Sequence, residues 1–95
     1  MYIVILKFSD NKSQASTFMD GHNQWIRRGF EDNVFLLVGS LQPGLGGSII
    51  AHGESLEQLE DRIKADPFVA ENIVIAEILE IEPKQVDDRL SFLLN

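Results

Sequence analysis

The chain contains no cysteine, which excludes a disulfide scaffold, a thiolate metal site and a cysteine nucleophile. Other metal ligands are also sparse, because there are only two histidines and no stretch has the spaced aspartates of a calcium loop. We therefore expect neither a dedicated metal site nor a bound cofactor.

Basic residues are scarce as well. Eight Lys and Arg stand against 15 Asp and Glu, which gives a formal net charge of −7 with His neutral. Nucleic acids and anionic membranes require concentrated positive charge, so neither is expected as a partner. The sequence also lacks an apolar run of about 18 residues, the length typical of a membrane-spanning helix. These features predict a cytoplasmic protein without a membrane partner.

The 95 residues, of which 44% are hydrophobic, fit one folded domain. Short β-branched runs predict strands, and apolar residues at intervals of three and four predict helices. Asn33 is suited to the left-handed end of the first helix, and Ser55 with Gln58 can form a capping box at the start of the second. Pro67 cannot continue a helix, so the Asp66-Pro67 pair is expected to end the second helix in a turn. The predicted elements are strand 2–8, helix 15–33, strand 34–38, strand 48–51, helix 55–66 and strand 73–81.

The order β-α-β-β-α-β predicts an α+β, ferredoxin-like fold over residues 1–83, with both helices on one face of an antiparallel sheet. Residues 84–95 form an apolar tail. In the first strand Ile3 and Ile5 lie opposite Val4 and Leu6, so both sheet faces are apolar. The second face needs a cover, which predicts a homodimer joined sheet to sheet, with the tail on the partner. A monomer whose tail folds over its own sheet is the alternative.

His22 and Asp66 are the candidate catalytic residues. His22 lies on the apolar stripe of the first helix, so its ring is expected to point inward. Imidazole exchanges protons near neutral pH, which makes His22 a candidate general acid or base; a structural core histidine is the alternative. The carboxylate of Asp66 is a candidate partner that orients the ring, as in a catalytic triad. An ordinary Asp-Pro turn is the alternative for Asp66.

The glycine-rich segment 39–47 is expected to be a loop beside the site. Gly39, Ser40, Gly46 and Gly47 leave backbone N–H groups open to an anion or a carbonyl oxygen. The segment is not a phosphate loop, because the Gly-Lys-Ser/Thr motif is absent and a strand follows it. A flexible connection between two strands is the alternative.

Three polar residues lie at strand positions. His52, at the end of the third strand, is expected at the rim of the sheet. Lys7 and Glu77 each interrupt an apolar strand, and the two strands are neighbours in this fold. We expect them to form a cross-strand ion pair, with Lys7 reaching into a pocket as the alternative.

Several short motifs occur in a fixed order along nearly the whole chain. They are His22 with Trp25, Phe35 through Gly39, Pro43, Gly46-Gly47, Ile49-Ile50-Ala51-His52, Asp66-Pro67-Phe68 and Glu80-Ile81-Glu82-Pro83. Together they resemble the YCII-related (YciI-like) family. The resemblance implies a dimeric α+β barrel with a His22–Asp66 site. Most family members have no assigned reaction, and one branch resembles enzymes that remove chloride from chlorinated hydroxyquinols.

The chain also departs from this pattern. Ser40 stands where many relatives have proline, and Gly44-Leu45 stand in place of Arg-Thr. If that arginine binds a substrate anion, the contact is lost here, and the net charge of −7 also disfavours an anionic substrate.

Sequence and resemblance together predict a small cofactor-independent enzyme that transfers protons on a small cyclic or aromatic molecule. His22 is the expected base or acid, and Asp66 orients it. Trp25, Phe68 and the segment 39–47 are expected to line the substrate pocket. The reaction class is isomerisation or an elimination such as dehydrochlorination. The alternative is a non-catalytic module of the same fold that binds a metabolite or serves interaction or regulation.

Overall fold

A computed structural model describes residues 1–94 of the chain. The elements are β1 (Tyr2–Phe8), α1 (Ala15–Glu31), β2 (Phe35–Leu41), β3 (Gly46–Ala51), α2 (Leu56–Lys64), α3 (Pro67–Ala70) and β4 (Val74–Glu80), with 3₁₀ segments at Lys12–Gln14 and Asp88–Leu94. The four antiparallel strands form one sheet in the order β2-β3-β1-β4, with the helices packed on one side. This is the ferredoxin-like order, so the predicted fold class is confirmed.

The core lies between the helices and the sheet. The most buried side chains come from both the sheet and α2, and they are fully or almost fully buried. They include Val4 of β1, Ile49 of β3, Leu59 of α2, and Ile73 directly before β4. Close packing of α1 on the sheet depends on Gly29, because a β-carbon at this position would overlap the ring of a β2 phenylalanine. The absence of a side chain at Gly29 therefore lets α1 lie close to the sheet, and Trp25 of the same helix is part of the core.

The start of α2 is as predicted, and its end is not. The Ser55 hydroxyl accepts from the Gln58 N–H at 3.1 Å, and the Gln58 side chain accepts from the Ser55 N–H at 2.9 Å, which completes the capping box. The helix ends at Lys64, before the predicted limit. Asp66 and Pro67 do not form a simple turn: Asp66 caps the short helix α3, and Pro67 occupies its first position, where a fixed φ is favourable.

The β2–β3 hairpin is longer than predicted. Pairing continues to Leu41 opposite Gly46, so the connection is only residues 42–45. Gly39, Ser40, Gly46 and Gly47 are strand residues, which corrects the expected loop over 39–47. Gly46 has a φ of +134°, and a β-carbon there would overlap a carbonyl oxygen of β1. Glycine is therefore required for β3 to approach β1 at this end of the sheet.

The sheet face away from the helices is called here the open face. Its apolar side chains include Ile75 and Leu37, which are 64% and 51% exposed. The predicted apolar character of both faces is thus confirmed within the described chain. The strand residues of the open face are Ile3, Ile5, Lys7, Leu37, Gly39, Leu41, Gly46, Ser48, Ile50, Ile75, Glu77 and Leu79.

The predicted ion pair between Lys7 and Glu77 is wrong. Glu77 pairs with Ile5 across the strands, and Lys7 pairs with Ile75, so the two charges lie one diagonal step apart. No salt bridge joins them in the part of the chain that the structure describes.

The C-terminal segment continues past the last strand. Leu90 and Phe92 are exposed, and the Phe92 ring meets the His52 ring edge-on with centroids 5.3 Å apart. His52 directly follows the last residue of β3, at the rim of the sheet, and does not line the pocket described below. Within residues 1–94, no helix has the length and apolar character needed to cross a membrane.

Candidate active site

Asp66 is a buried carboxylate at the junction of α2 and α3. Its exposed fraction is 0%, and its Oδ1 accepts a hydrogen bond from the Phe68 backbone N–H at 3.0 Å. This bond satisfies one of the free N–H groups at the start of α3, which is the usual role of aspartate before a helix. The short helix thus fixes where the carboxylate points.

His22 of α1 meets the same carboxylate oxygen. Its Nδ1 lies 2.8 Å from Asp66 Oδ1, and its side chain is 14% exposed. An ionised carboxylate can only accept, so the Nδ1–H of His22 donates this bond. The other ring nitrogen, Nε2, is then free to accept a proton when the ring is neutral. The predicted partnership of His22 and Asp66 therefore exists as a direct contact.

Two aromatic rings fix the plane of the imidazole. The Phe68 ring stacks on His22 with centroids 3.9 Å apart and planes within 4°. Trp25 stacks less closely at 5.9 Å. The indole N–H of Trp25 donates to the Arg62 carbonyl at 2.9 Å, so Trp25 is held on the core side of the histidine. With both the hydrogen bond and the stacking in place, the imidazole has little freedom to rotate.

The two carboxylate oxygens of Asp66 differ in their hydrogen bonds, because both bonds described above go to Oδ1. Oδ2 is buried and has no hydrogen-bond partner within residues 1–94. A buried carboxylate with so few donors depends on His22 for electrostatic stabilisation. Among the described residues, His22 is the only side chain that hydrogen-bonds this carboxylate, and the other bond comes from the Phe68 backbone.

Gly21 is a positioning residue that sequence reasoning missed. A β-carbon at this position would lie 3.2 Å from Pro67 Cγ, closer than ordinary van der Waals contact. The missing side chain lets α1 lie close to α3, which brings His22 to Asp66. The only sequence signal was a glycine directly before the histidine in an otherwise amphipathic helix.

A pocket of about 330 Å³ opens beside His22, between α1 and the hairpin end of the sheet. This volume lies at the lower end of the range of small-molecule sites, about 300–1,000 Å³. The walls are mainly apolar, and Asn23 and Ser40 add polar groups. The lining residues are Leu6, Phe8, Met19, His22, Asn23, Ile26, Val38, Gly39, Ser40, Gly46, Gly47, Ser48, Ile49, Phe68 and Val74.

Most residues expected at the pocket lie along it. Gly39, Ser40, Gly46, Gly47 and Phe68 all line the wall, the first four as strand residues. Trp25 does not line this pocket; it contacts His22 from within the core and borders a separate surface depression. Its contribution is to pack behind the imidazole.

An ion-pair cluster lies outside the pocket. Arg62 contacts Glu54 at 2.8 Å and Asp32 at 3.0 Å, and its hydrogen bond to Glu54 is the main reason that the pKa of Arg62 is raised. These contacts join the end of α1 to α2, so the cluster supports the helix layer. In the described residues, no group of three or more His, Asp or Glu side chains is arranged to hold a metal ion.

No protein-family model matches the chain, and no curated protein matches it in sequence. Among solved structures, the chain is similar to 5-chloro-2-hydroxyhydroquinone dehydrochlorinase (TftG) from Burkholderia phenoliruptrix AC1100, determined in complex with 2,5-dihydroxybenzoquinone. The TM-score is 0.68 at 12% sequence identity, over 85% of this chain and 93% of that chain. At this identity the similarity establishes a shared fold.

Proposed function

We propose that this protein is a small enzyme in which His22 transfers a proton on a small cyclic or aromatic molecule, oriented by Asp66. The observation that carries the proposal is the 2.8 Å contact between His22 Nδ1 and Asp66 Oδ1 beside a mainly apolar pocket. Donation from Nδ1 leaves Nε2 as the basic atom. A base held by a buried carboxylate is the arrangement used in general acid–base catalysis.

The proposed step needs only one proton acceptor. Nε2 of His22 takes a proton from a hydroxyl group or an acidic carbon of the substrate. In an elimination from a chlorinated hydroquinone, the imidazolium first returns the hydroxyl proton to the ring carbon that carries chlorine, which gives a keto tautomer. Removal of the second hydroxyl proton then forms the quinone as chloride leaves with the electrons of the C–Cl bond, so the net change is loss of HCl. In an isomerisation, the imidazolium returns the proton to a different carbon. Asp66 stabilises the imidazolium in both cases.

The ring-shaped substrate class rests on two observations. The pocket has apolar walls and a volume of about 330 Å³, which suits a single ring with a few polar substituents. The solved structure with the same fold is a dehydrochlorinase in complex with a dihydroxybenzoquinone. We therefore propose hydroxylated and chlorinated aromatic rings as the first compounds to test, and membership of the YCII-related family as the accompanying hypothesis.

The proposal also includes a homodimer that covers the open face. Leu37 and Ile75 are more than half exposed there, and the exposed Leu90 and Phe92 of the tail add further apolar surface. Contiguous exposed apolar surface of this kind is typical of interfaces. Light scattering coupled to size exclusion is expected to give twice the chain mass; a single-chain mass at all concentrations would contradict the dimer.

The catalytic claim is tested with the purified protein and a panel of chlorinated hydroquinones. Chloride release and quinone absorbance report elimination. Exchange of a carbon-bound deuterium label with solvent reports the proton transfer of an isomerisation. His22→Ala is expected to lower the rate about 10²–10⁴-fold, the usual contribution of a general base. His52→Gln is the matched control and should retain full activity, since His52 lies at the rim. An unchanged rate in His22→Ala would refute the assignment, while binding without turnover would favour a metabolite-binding module.

A further inference from the structure

Two opposite charges stand out on the apolar open face. Lys7 of β1 and Glu77 of β4 are both exposed, and they are the only charged residues among those named for this face. Ser48 is the other polar residue named, and its hydroxyl donates to the Val4 carbonyl. They lie one diagonal step apart, a separation of about 7–8 Å between such positions on neighbouring strands. Neither side chain has a salt bridge or a side-chain hydrogen bond within residues 1–94.

Burial of this face would be costly unless both charges found a partner. The two charges form no salt bridge with each other in the described residues, and an apolar cover would offer a partner to neither. Each buried charge left without a partner is strongly unfavourable. A partner of one charge sign would satisfy one of them and repel the other. The favourable cover presents a negative charge opposite Lys7 and a positive charge opposite Glu77.

A second copy of the same face meets this requirement. In a two-fold interface the same patch of each subunit faces the other. Each contact therefore occurs twice, with the two residues exchanged between the subunits. A two-fold axis that crosses between Lys7 and Glu77 places each of them opposite the other residue of the second copy. One positive and one negative charge, close together, are thus self-complementary.

We propose that Lys7 pairs with Glu77 of the partner subunit, twice, and that these two ion pairs set the register of the two sheets. This inference rests on the homodimer of the proposed function and is independent of the His22 chemistry. The apolar side chains supply most of the interface area, and the charge pairs select the orientation in which two copies pack.

Charge reversal tests the pairing. Lys7→Glu alone places two negative charges together across the interface, and Glu77→Lys alone places two positive charges together. Each single variant is expected to dimerise at least tenfold more weakly than the wild type, because like charges in an interface are strongly unfavourable. Arg27→Glu, on the exposed surface of α1, changes the net charge by the same amount as Lys7→Glu and should leave the dimer intact.

Mixing the two single variants is the decisive step. In a heterodimer of Lys7→Glu with Glu77→Lys, both contacts again join opposite charges, although the repulsion within each chain is unchanged. Native mass spectrometry of an equimolar mixture should therefore show mainly heterodimers, at an affinity close to that of the wild type. A wild-type chain that is monomeric would refute the dimer itself. Single variants that dimerise like Arg27→Glu, or a mixture without heterodimers, would refute the pairing and leave the dimer standing.

Discussion

Replacing Asp66 by alanine removes two contacts that converge on one oxygen. Oδ1 caps α3 through the Phe68 N–H at 3.0 Å and accepts from His22 Nδ1 at 2.8 Å. Loss of an N-cap costs about 1 kcal/mol, within a range of about 0.5–2. A nearly buried imidazole N–H left without an acceptor costs about 1–3 kcal/mol more. We expect Asp66→Ala to reduce the free energy of unfolding by about 2–4 kcal/mol.

Asparagine separates the roles of the oxygen and of the charge. The amide oxygen of Asp66→Asn can still cap α3 and accept from His22, so the main loss is the difference between a charged and a neutral hydrogen bond, about 1 kcal/mol. Urea unfolding at fixed protein concentration measures both variants, with fluorescence of the single tryptophan, buried Trp25, as the signal. Equal destabilisation by alanine and asparagine, or an alanine effect below about 0.5 kcal/mol, would show that the two hydrogen bonds of Asp66 Oδ1 do not stabilise the fold as expected.

Three further predictions concern close packing at two glycines and the burial of a tyrosine. Gly21→Ala should weaken the His–Asp contact and lower activity more than stability, because its β-carbon would push against Pro67; comparison of kcat with the urea midpoint tests this. Gly46→Ala should reduce the free energy of unfolding by more than about 2 kcal/mol in urea, because the β-carbon would overlap a carbonyl of β1. Gly39→Ala is the control and should have little effect, because its β-carbon would meet its nearest neighbour at 3.9 Å. Burial, followed by two nearby carboxylates, raises the pKa of Tyr2 in the folded protein. The free energy of unfolding should therefore fall as the pH rises past the unfolded-state tyrosine pKa of about 10. Tyr2→Phe should reduce this loss in alkaline unfolding curves.

The strand pattern and the helix capping signals were readable in the sequence. The β-branched and apolar residue types at the start of the chain indicate a strand. The alternating burial of Val4 and Leu6 against Ile3 and Ile5 then follows from the two-residue period of a strand. The capping box at Ser55 is equally local. Local signals of this kind need no knowledge of what packs where, and they sufficed to predict the ferredoxin-like order.

Features that depend on contacts between distant segments were not predictable. The hairpin extends to Gly46 because pairing with both neighbours outweighs the low strand preference of glycine. The helix after Asp66 has only four residues, too few for an apolar period. The register that separates Lys7 from Glu77 is a property of the assembled sheet. The contact between His22 and Asp66 was a hypothesis, since 44 positions separate them and no local pattern links them.

The protonation state of His22 tests the central claim most directly. Nitrogen-15 NMR of the two imidazoles, assigned with His52→Gln, distinguishes the two neutral tautomers and reports ligand contact at each nitrogen. We expect neutral His22 to carry its proton on Nδ1, toward Asp66, and 2,5-dihydroxybenzoquinone to shift the Nε2 signal. A proton on Nε2, or a ring whose signals respond neither to pH nor to any ring compound of the panel, would contradict the account and mark His22 as a structural core histidine.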